Sequence, residues 1–141
     1  VATASSLNTD TTAPGLLVED NMLVQQSLRH ALNILGFPSK VAQDGIEAME
    51  MLRSEPFSFV LMDVQMPGKG GIDVLLELRQ LDCPNTQVPV VIMSGNESES
   101  VIAFRSGANE FLTKPISVKL LAETIQRLKD GKNSHGKDSS N

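Results

Sequence analysis

Apolar residues in this chain fall into short unbroken runs separated by stretches with helical spacing. Gly15–Val18, Phe59–Met62 and Val88–Met93 are the strongest runs, with Ser39–Ala42 and Glu110–Thr113 weaker. Continuous rather than alternating hydrophobicity marks strands buried on both faces, as in parallel sheets. Between them, Val24, Leu28, Ala31 and Leu35 trace one helical stripe, and Val118, Leu121, Ile125 and Leu128 trace another. Gly36 stops the first helix, with Pro38 just beyond. Asp44-Gly45 opens a second helix over Ile46–Ser54. A third is predicted over Gly71–Leu81, ended by Cys83-Pro84, and a fourth over Ser98–Ser106, followed by Gly107. Strand–helix alternation repeated five times predicts an α/β fold: a single doubly wound, five-stranded parallel sheet with five helices.

The ends of the chain lack these patterns. Residues 1–13 are small and polar, and residues 130–141 are rich in Gly, Ser and Lys, so both are expected to be disordered tails or linker ends around one domain, residues 14–129. The start at Val1 rather than Met leads us to expect a piece of a longer protein. Composition narrows the classes. The 141 residues suit one domain, and 40% hydrophobic content is enough for a core. No run reaches the ~20 apolar residues of a membrane span. The single cysteine, Cys83, permits no internal disulfide and fits a reducing compartment. A net charge of −5 argues against a general nucleic-acid binder, and the absence of Trp and Tyr argues against base stacking.

Ligands of such sheets gather beyond the C-terminal ends of the strands. There the sequence sets Glu19 and Asp20 after the first run, Asp63 after the third, Ser94 after the fourth and Lys114 after the fifth. Each has an ordinary alternative. Glu19, Asp20 and Ser94 are helix-capping types, Asp63 is a turn former, and Lys114 suits a solvated surface. Their convergence on one rim is the signal. Two carboxylates about 4 Å apart repel by roughly 4 kcal/mol at an effective dielectric near 20, so a proton or cation must compensate. Hard oxygen donors suit Mg²⁺, a carboxylate beside it can attack phosphorus, and a hydroxyl and an ammonium can hold the other phosphoryl oxygens.

Four segments, Leu16–Asn21, Val60–Pro67, Val91–Gly95 and Phe111–Pro115, in this order and spacing, resemble the receiver domain of two-component response regulators and hybrid histidine kinases. The resemblance covers residue 14 to about residue 129 and implies a (βα)5 flavodoxin-like fold. It implies that Asp63 is the phosphoacceptor, that Glu19, Asp20, Asp63 and the backbone carbonyl of Gln65 hold Mg²⁺ (Mn²⁺ substituting), and that Ser94 and Lys114 bind the phosphoryl group. Ser94 and Phe111 take the switch positions, and the Lys114–Pro115 bond is expected to be cis. The implied donor is a histidine kinase or histidine phosphotransfer protein, and the implied output is a downstream effector or fused domain, reached through the fourth helix, fifth strand and fifth helix. No direct contact with nucleic acid or membrane and no turnover enzyme activity are expected, and the location is cytoplasmic, whether alone or as the cytoplasmic part of a larger kinase. Glu19-Asp20-Asn21 mildly favours a receiver from a hybrid kinase.

Gln65 and Asn96 flank the path of hydrolytic water and are expected to set the phospho-state lifetime. In the Gly68-Lys69-Gly70-Gly71 segment the glycines are expected to loosen the loop, and Lys69 is expected to point to water. The alternatives are three. An aspartate-based phosphohydrolase needs an acid where Gln65 stands. A nucleotide or flavin binder would meet repulsion from Glu19-Asp20. A degenerate receiver would act only through protein contacts. His30 and His135 have no metal-binding partners, the methionines read as packing, and Phe37, Phe57, Phe59 and Phe104 read as core or its edge.

Overall fold

The protein is described here by a computed structural model covering residues 13–131, so the expected tails lie almost wholly outside the described residues. Five strands, β1 (Gly15–Val18), β2 (Ser39–Ala42), β3 (Phe59–Asp63), β4 (Val90–Ser94) and β5 (Glu110–Thr113), alternate with α1 (Met22–Ile34), α2 (Gly45–Ser54), α3 (Gly71–Gln80), α4 (Ser100–Arg105) and α5 (Val118–Lys129). The strands pair in parallel throughout, in the order β2-β1-β3-β4-β5. The chain leaves β1 toward one edge and β3 toward the other, so a crevice opens above the β1 and β3 ends.

The unbroken apolar runs are explained by two cores, one on each face of the sheet. Leu16, Val18, Val60, Met62, Val90 and Ile92 point into the core under α2, α3 and α4. Leu17, Phe59, Leu61, Val91 and Met93 point into the other, against Leu28 and Leu32 of α1 and Leu121, Ile125 and Leu128 of α5. Successive strand residues face opposite ways, so a strand covered on both sides must be apolar at every position. The weaker runs are the edge strands β2 and β5, which are only partly buried.

Local signals account for most boundaries. Asn21 caps α1 by accepting from Leu23 and Val24 N–H, at 2.9 and 3.1 Å. Asp44 caps α2 through Glu47 N–H at 2.8 Å. Gly36 adopts φ 85° just past α1, and Phe37 N–H closes back on the Leu32 carbonyl at 2.8 Å. Several expectations need correction. The fourth helix begins as a 3-10 turn, Glu97–Glu99, because Asn96 Oδ1 draws in Ser98 N–H at 3.0 Å. Val118 is exposed, and the buried stripe of α5 runs through Thr124 instead. Asp130 follows α5 as its C-cap, its N–H donating to Gln126 O at 3.0 Å.

Candidate functional site

Two strand ends bring the acidic residues together. Glu19 follows β1 and is 1% exposed, Asp63 ends β3 and is 6% exposed, and Asp20 stands exposed beside them. One ligand oxygen from each of the three lies within 4.8 Å of the others. Lys114, just past β5, bridges two of them: its Nζ is 2.9 Å from Asp63 Oδ2 and 3.3 Å from Glu19 Oε1. The remaining Asp63 oxygen, Oδ1, accepts from Gln65 N–H at 3.2 Å, and Glu19 Oε2 accepts from Asn21 N–H at 3.2 Å. Neither Glu19 nor Asp20 caps α1; Asn21 does. With Ser94 and Asn96 these side chains border one cleft of about 460 Å³. The Lys114–Pro115 peptide bond is cis.

Electrostatics in the cleft are unbalanced. Burial is the main cause that raises the Glu19 pKa and the Asp63 charge adds to it, while the Asn21 N–H and the charge and hydrogen bond of Lys114 work against the rise without cancelling it. Burial alone would pull the Lys114 ammonium down, but its hydrogen bonds and charge attraction to Asp63 and Glu19 outweigh that and hold its pKa above the ordinary lysine value. Three carboxylates against one ammonium leave an excess of two negative charges when all are ionised. Oxygen donors with that excess are the donor set that a small divalent cation such as Mg²⁺ prefers.

The loop from Asp63 to α3 is shaped by a close approach. A Cβ on Gly71 would stand 3.1 Å from the Asp63 carbonyl carbon and from Val64 Cα, and closer still to the Asp63 carbonyl oxygen. Gly71 N–H closes the loop on the Val64 carbonyl at 2.9 Å. The expectation of a loosened loop is therefore corrected at Gly71, where the missing side chain allows tight packing behind Asp63. Lys69 is corrected as well. Its ammonium pairs with Glu77 of α3, which also binds Arg53 of α2 at 2.8 Å, so it is directed neither to open water nor to Asp63.

Ser94 is buried at the end of β4, and its hydroxyl donates to the Glu99 carboxylate, a partner the sequence did not suggest. Phe111, paired in register with Ile92, packs half-buried against the core on the α2–α4 face. Gln65 is exposed at the cleft mouth. Two residues that clasp the loops leading into β3, β4 and β5, at the opposite edge of the sheet from the cleft, also escaped the sequence reading. Arg79 of α3 binds the carbonyls of Thr86, Val88 and Gly107 and the side chain of Asn109, at 2.8 to 3.1 Å. Asn85, 1% exposed, accepts from Phe57 N–H at 2.9 Å and donates to the Leu52 and Glu55 carbonyls at 2.7 Å. His30 is exposed on α1.

Comparison with known proteins agrees with this geometry. The family model described as the response regulator receiver domain matches residues 16–126. Response regulator MprA of Mycobacterium ulcerans is 32% identical over 115 residues, covering 80% of this chain and 48% of that protein. MprA of Mycobacterium avium is 31% identical, with 80% and 49% covered. The chain thus spans about half the length of these curated relatives. Among solved structures, the receiver domain of the Pseudomonas aeruginosa sensor histidine kinase PA1611, which carries a magnesium ion coordinated in its active-site cleft, superposes with a TM-score of 0.77 at 27% identity, covering 84% of this chain and 98% of that one. The Vibrio cholerae chemotaxis protein CheY4 gives 0.75 at 26% identity, covering 82% and 97%.

Proposed function

Because the chain belongs to the response regulator receiver domain family and has its flavodoxin-like fold, we propose that it is a phosphoacceptor module of two-component signalling in which Asp63 receives the phosphoryl group. The observation that carries this reading is the joint position of Asp63, Glu19, Asp20 and Lys114 in one cleft, with the Lys114 ammonium 2.9 Å from Asp63.

A carboxylate oxygen of Asp63 attacks the phosphorus of a phosphohistidine. The new P–O bond forms as the P–N bond breaks, and the imidazole leaves with the electron pair and is protonated. Lys114 takes a phosphoryl oxygen as its counterion, and Ser94 offers its hydroxyl to another. Glu19, Asp20, Asp63 and the Gln65 carbonyl would hold Mg²⁺, with Mn²⁺ substituting through the same oxygen preference; once bound, the ion neutralises charge that builds on the phosphoryl oxygens. Gln65 carries no acid at the cleft mouth, so it has no proton to shuttle in the hydrolysis that a phosphatase would need. The reaction is one transfer to the chain itself rather than catalytic turnover. Gln65 and Asn96 govern the access of water and hence the lifetime of the phospho-state.

A protein donor is supported by the apolar groove of about 490 Å³ beside Lys114, lined by Leu23, Val24, Ser27, Leu28, Pro115 and Ile116. The donor is a histidine kinase or phosphotransfer protein. The output is an effector or a fused domain that reads α4, β5 and α5 once Ser94 and the half-buried Phe111 rearrange around the new charge. The proposed signalling unit is residues 14–129. Among the described residues no helix is long and apolar enough to cross a membrane. The single cysteine supports a reducing, cytoplasmic setting.

The decisive test is incorporation of labelled phosphate from acetyl phosphate with Mg²⁺ into the parent chain and into Asp63→Asn. Incorporation should be lost in the variant. Labelling at the parent level in Asp63→Asn would remove Asp63 from the role.

A further inference from the structure

The hydroxyl of Ser94 is already committed in this structure. It accepts from Asn96 N–H at 2.9 Å, and its own proton is directed at the carboxylate of Glu99. Among the described residues the other acceptor within its reach is the Asn96 carbonyl, 3.3 Å away. One proton serves one acceptor at full strength, and an ionised carboxylate is stronger than a carbonyl. The turn that carries Glu99 is held in place. Asn96 Oδ1 accepts from Ser98 N–H at 3.0 Å and from Ser98 Oγ at 2.7 Å, and Glu99 N–H donates to the Asn96 carbonyl at 3.0 Å. Among the described residues, Glu99 takes part in none of the ion pairs.

We propose that Glu99 is a latch on the switch: a positioning residue that keeps the Ser94 proton on its own carboxylate and so opposes transfer of that hydrogen bond to an anion seated on Asp63. The inference rests on the reading of Asp63 as phosphoacceptor and deepens it. A phosphoryl group on Asp63 competes for the Ser94 proton, because Ser94 borders the same cleft. Once Ser94 turns to it, Glu99 loses that donor while a new anion stands nearby. Glu99 therefore sets how strongly an anion must bind before Ser94 moves.

Removing Glu99 also removes a negative charge near an anion site, so the test must separate the hydrogen bond from the charge. A double-mutant cycle does so. The probe is beryllofluoride with Mg²⁺, titrated into the full chain and followed by amide NMR, which suits a chain without Trp or Tyr. Glu99→Ala should bind the probe about tenfold more tightly than the parent, the low end of what a hydrogen bond to a charged group contributes. The gain should vanish when Ser94→Ala is the background, and Glu97→Ala, an exposed carboxylate on the same turn, should match the parent. An equal gain in both backgrounds makes Glu99 a diffuse charge and overturns the latch. So does parent-level affinity in Glu99→Ala.

A second measurement needs no anion. Three-bond couplings of Ser94 should report one χ1 rotamer in the unliganded parent and averaged rotamers in Glu99→Ala. Unchanged couplings overturn the latch whatever binds at Asp63. Failure of the parent to bind beryllofluoride, with Asp63→Asn behaving identically, overturns the phosphoacceptor reading and with it the role of the latch in phosphorylation.

Discussion

Gly71→Ala tests the packing behind Asp63, because one added methyl group has no room there. Its carbon would sit 3.1 Å from the Asp63 carbonyl carbon and from Val64 Cα, and nearer to the Asp63 carbonyl oxygen. Nonbonded carbon atoms prefer about 3.5 to 4.0 Å. The obstacles are all backbone, so no side chain can swing aside. Either β3 or the start of α3 must shift by several tenths of an ångström to about 1 Å. Overpacking of this kind costs roughly 1–3 kcal/mol. Better helix propensity returns less than about 1 kcal/mol, since the residue opens α3 rather than lying in its interior. For a domain of this size the net loss corresponds to a fall in Tm of roughly 4–10 °C. The displaced atoms belong to Asp63 itself, and misplacing a reacting group by about 1 Å can slow a reaction on the order of a hundredfold. The assay pairs thermal melting with the rate of phosphate incorporation from acetyl phosphate. Gly36→Ala is the control. Gly36 has φ 85° and open space around it, at the far end of α1. It should lose about 1 kcal/mol to left-handed strain yet leave the rate at the parent level. If Gly71→Ala melts and labels like the parent, the close approach does not constrain the site. If both variants slow in proportion to their lost stability, the effect is global rather than local.

Other expectations follow from single features. Arg79→Met should destabilise the chain by about 3 kcal/mol in denaturant unfolding, because four acceptors lose a charged donor, and Arg79→Lys should recover little because an ammonium does not span them; a loss below about 1 kcal/mol would contradict the clasp. Thr124→Val should stabilise slightly, by up to about 1 kcal/mol, since Thr124 Oγ1 is the one buried side-chain polar atom without a hydrogen bond among the described residues; a lower Tm would argue that the hydroxyl has a partner. For Glu19 the sign is set by its raised pKa. The folded metal-free chain keeps the Glu19 proton to higher pH than the unfolded chain, so stability falls as pH rises from the ordinary glutamate range through the raised value, and Glu19→Gln should remove that slope in denaturant titrations across acidic pH.

What could be read from the sequence depended on how far apart the cooperating residues lie. Strands β1, β3 and β4 announce themselves because burial on both faces forbids polar interruptions, and the helix caps are local patterns of two to four residues. The strand-end chemistry was legible for the same reason: Asp63, Ser94 and Lys114 break apolar runs at their ends. Arg79 and Asn85 could not be found this way. Their partners lie up to 30 and 33 residues away, and an arginine in a helix or an asparagine in a loop has no local oddity to report. Gly71 misled for a related reason. Glycine signals freedom when read locally, whereas here it answers to the Asp63 backbone that folds back over it. Lys69 and Glu99 were settled by partners on neighbouring turns whose orientation depends on how the loops close.

The treatment of buried acids across the molecule bears on why the cleft suits an added cation. Glu110, 2% exposed at the start of β5, is gripped by Arg127 of α5 through two contacts of 3.0 and 3.2 Å, and that hydrogen bonding raises the Arg127 pKa. One buried acid has there a dedicated, geometrically matched base, an arrangement that serves packing. Glu19 and Asp63 are as deeply buried, yet they share one lysine, and Asp20 adds a third carboxylate to the same few ångströms. A chain selected for stability alone would gain by neutralising one of these acids or supplying a second base, because uncompensated buried charge is among the costlier defects a fold can carry. Retaining the excess at the one edge where the strand order reverses makes sense if the missing charge comes from outside, and if the anion that follows it is held by the same lysine.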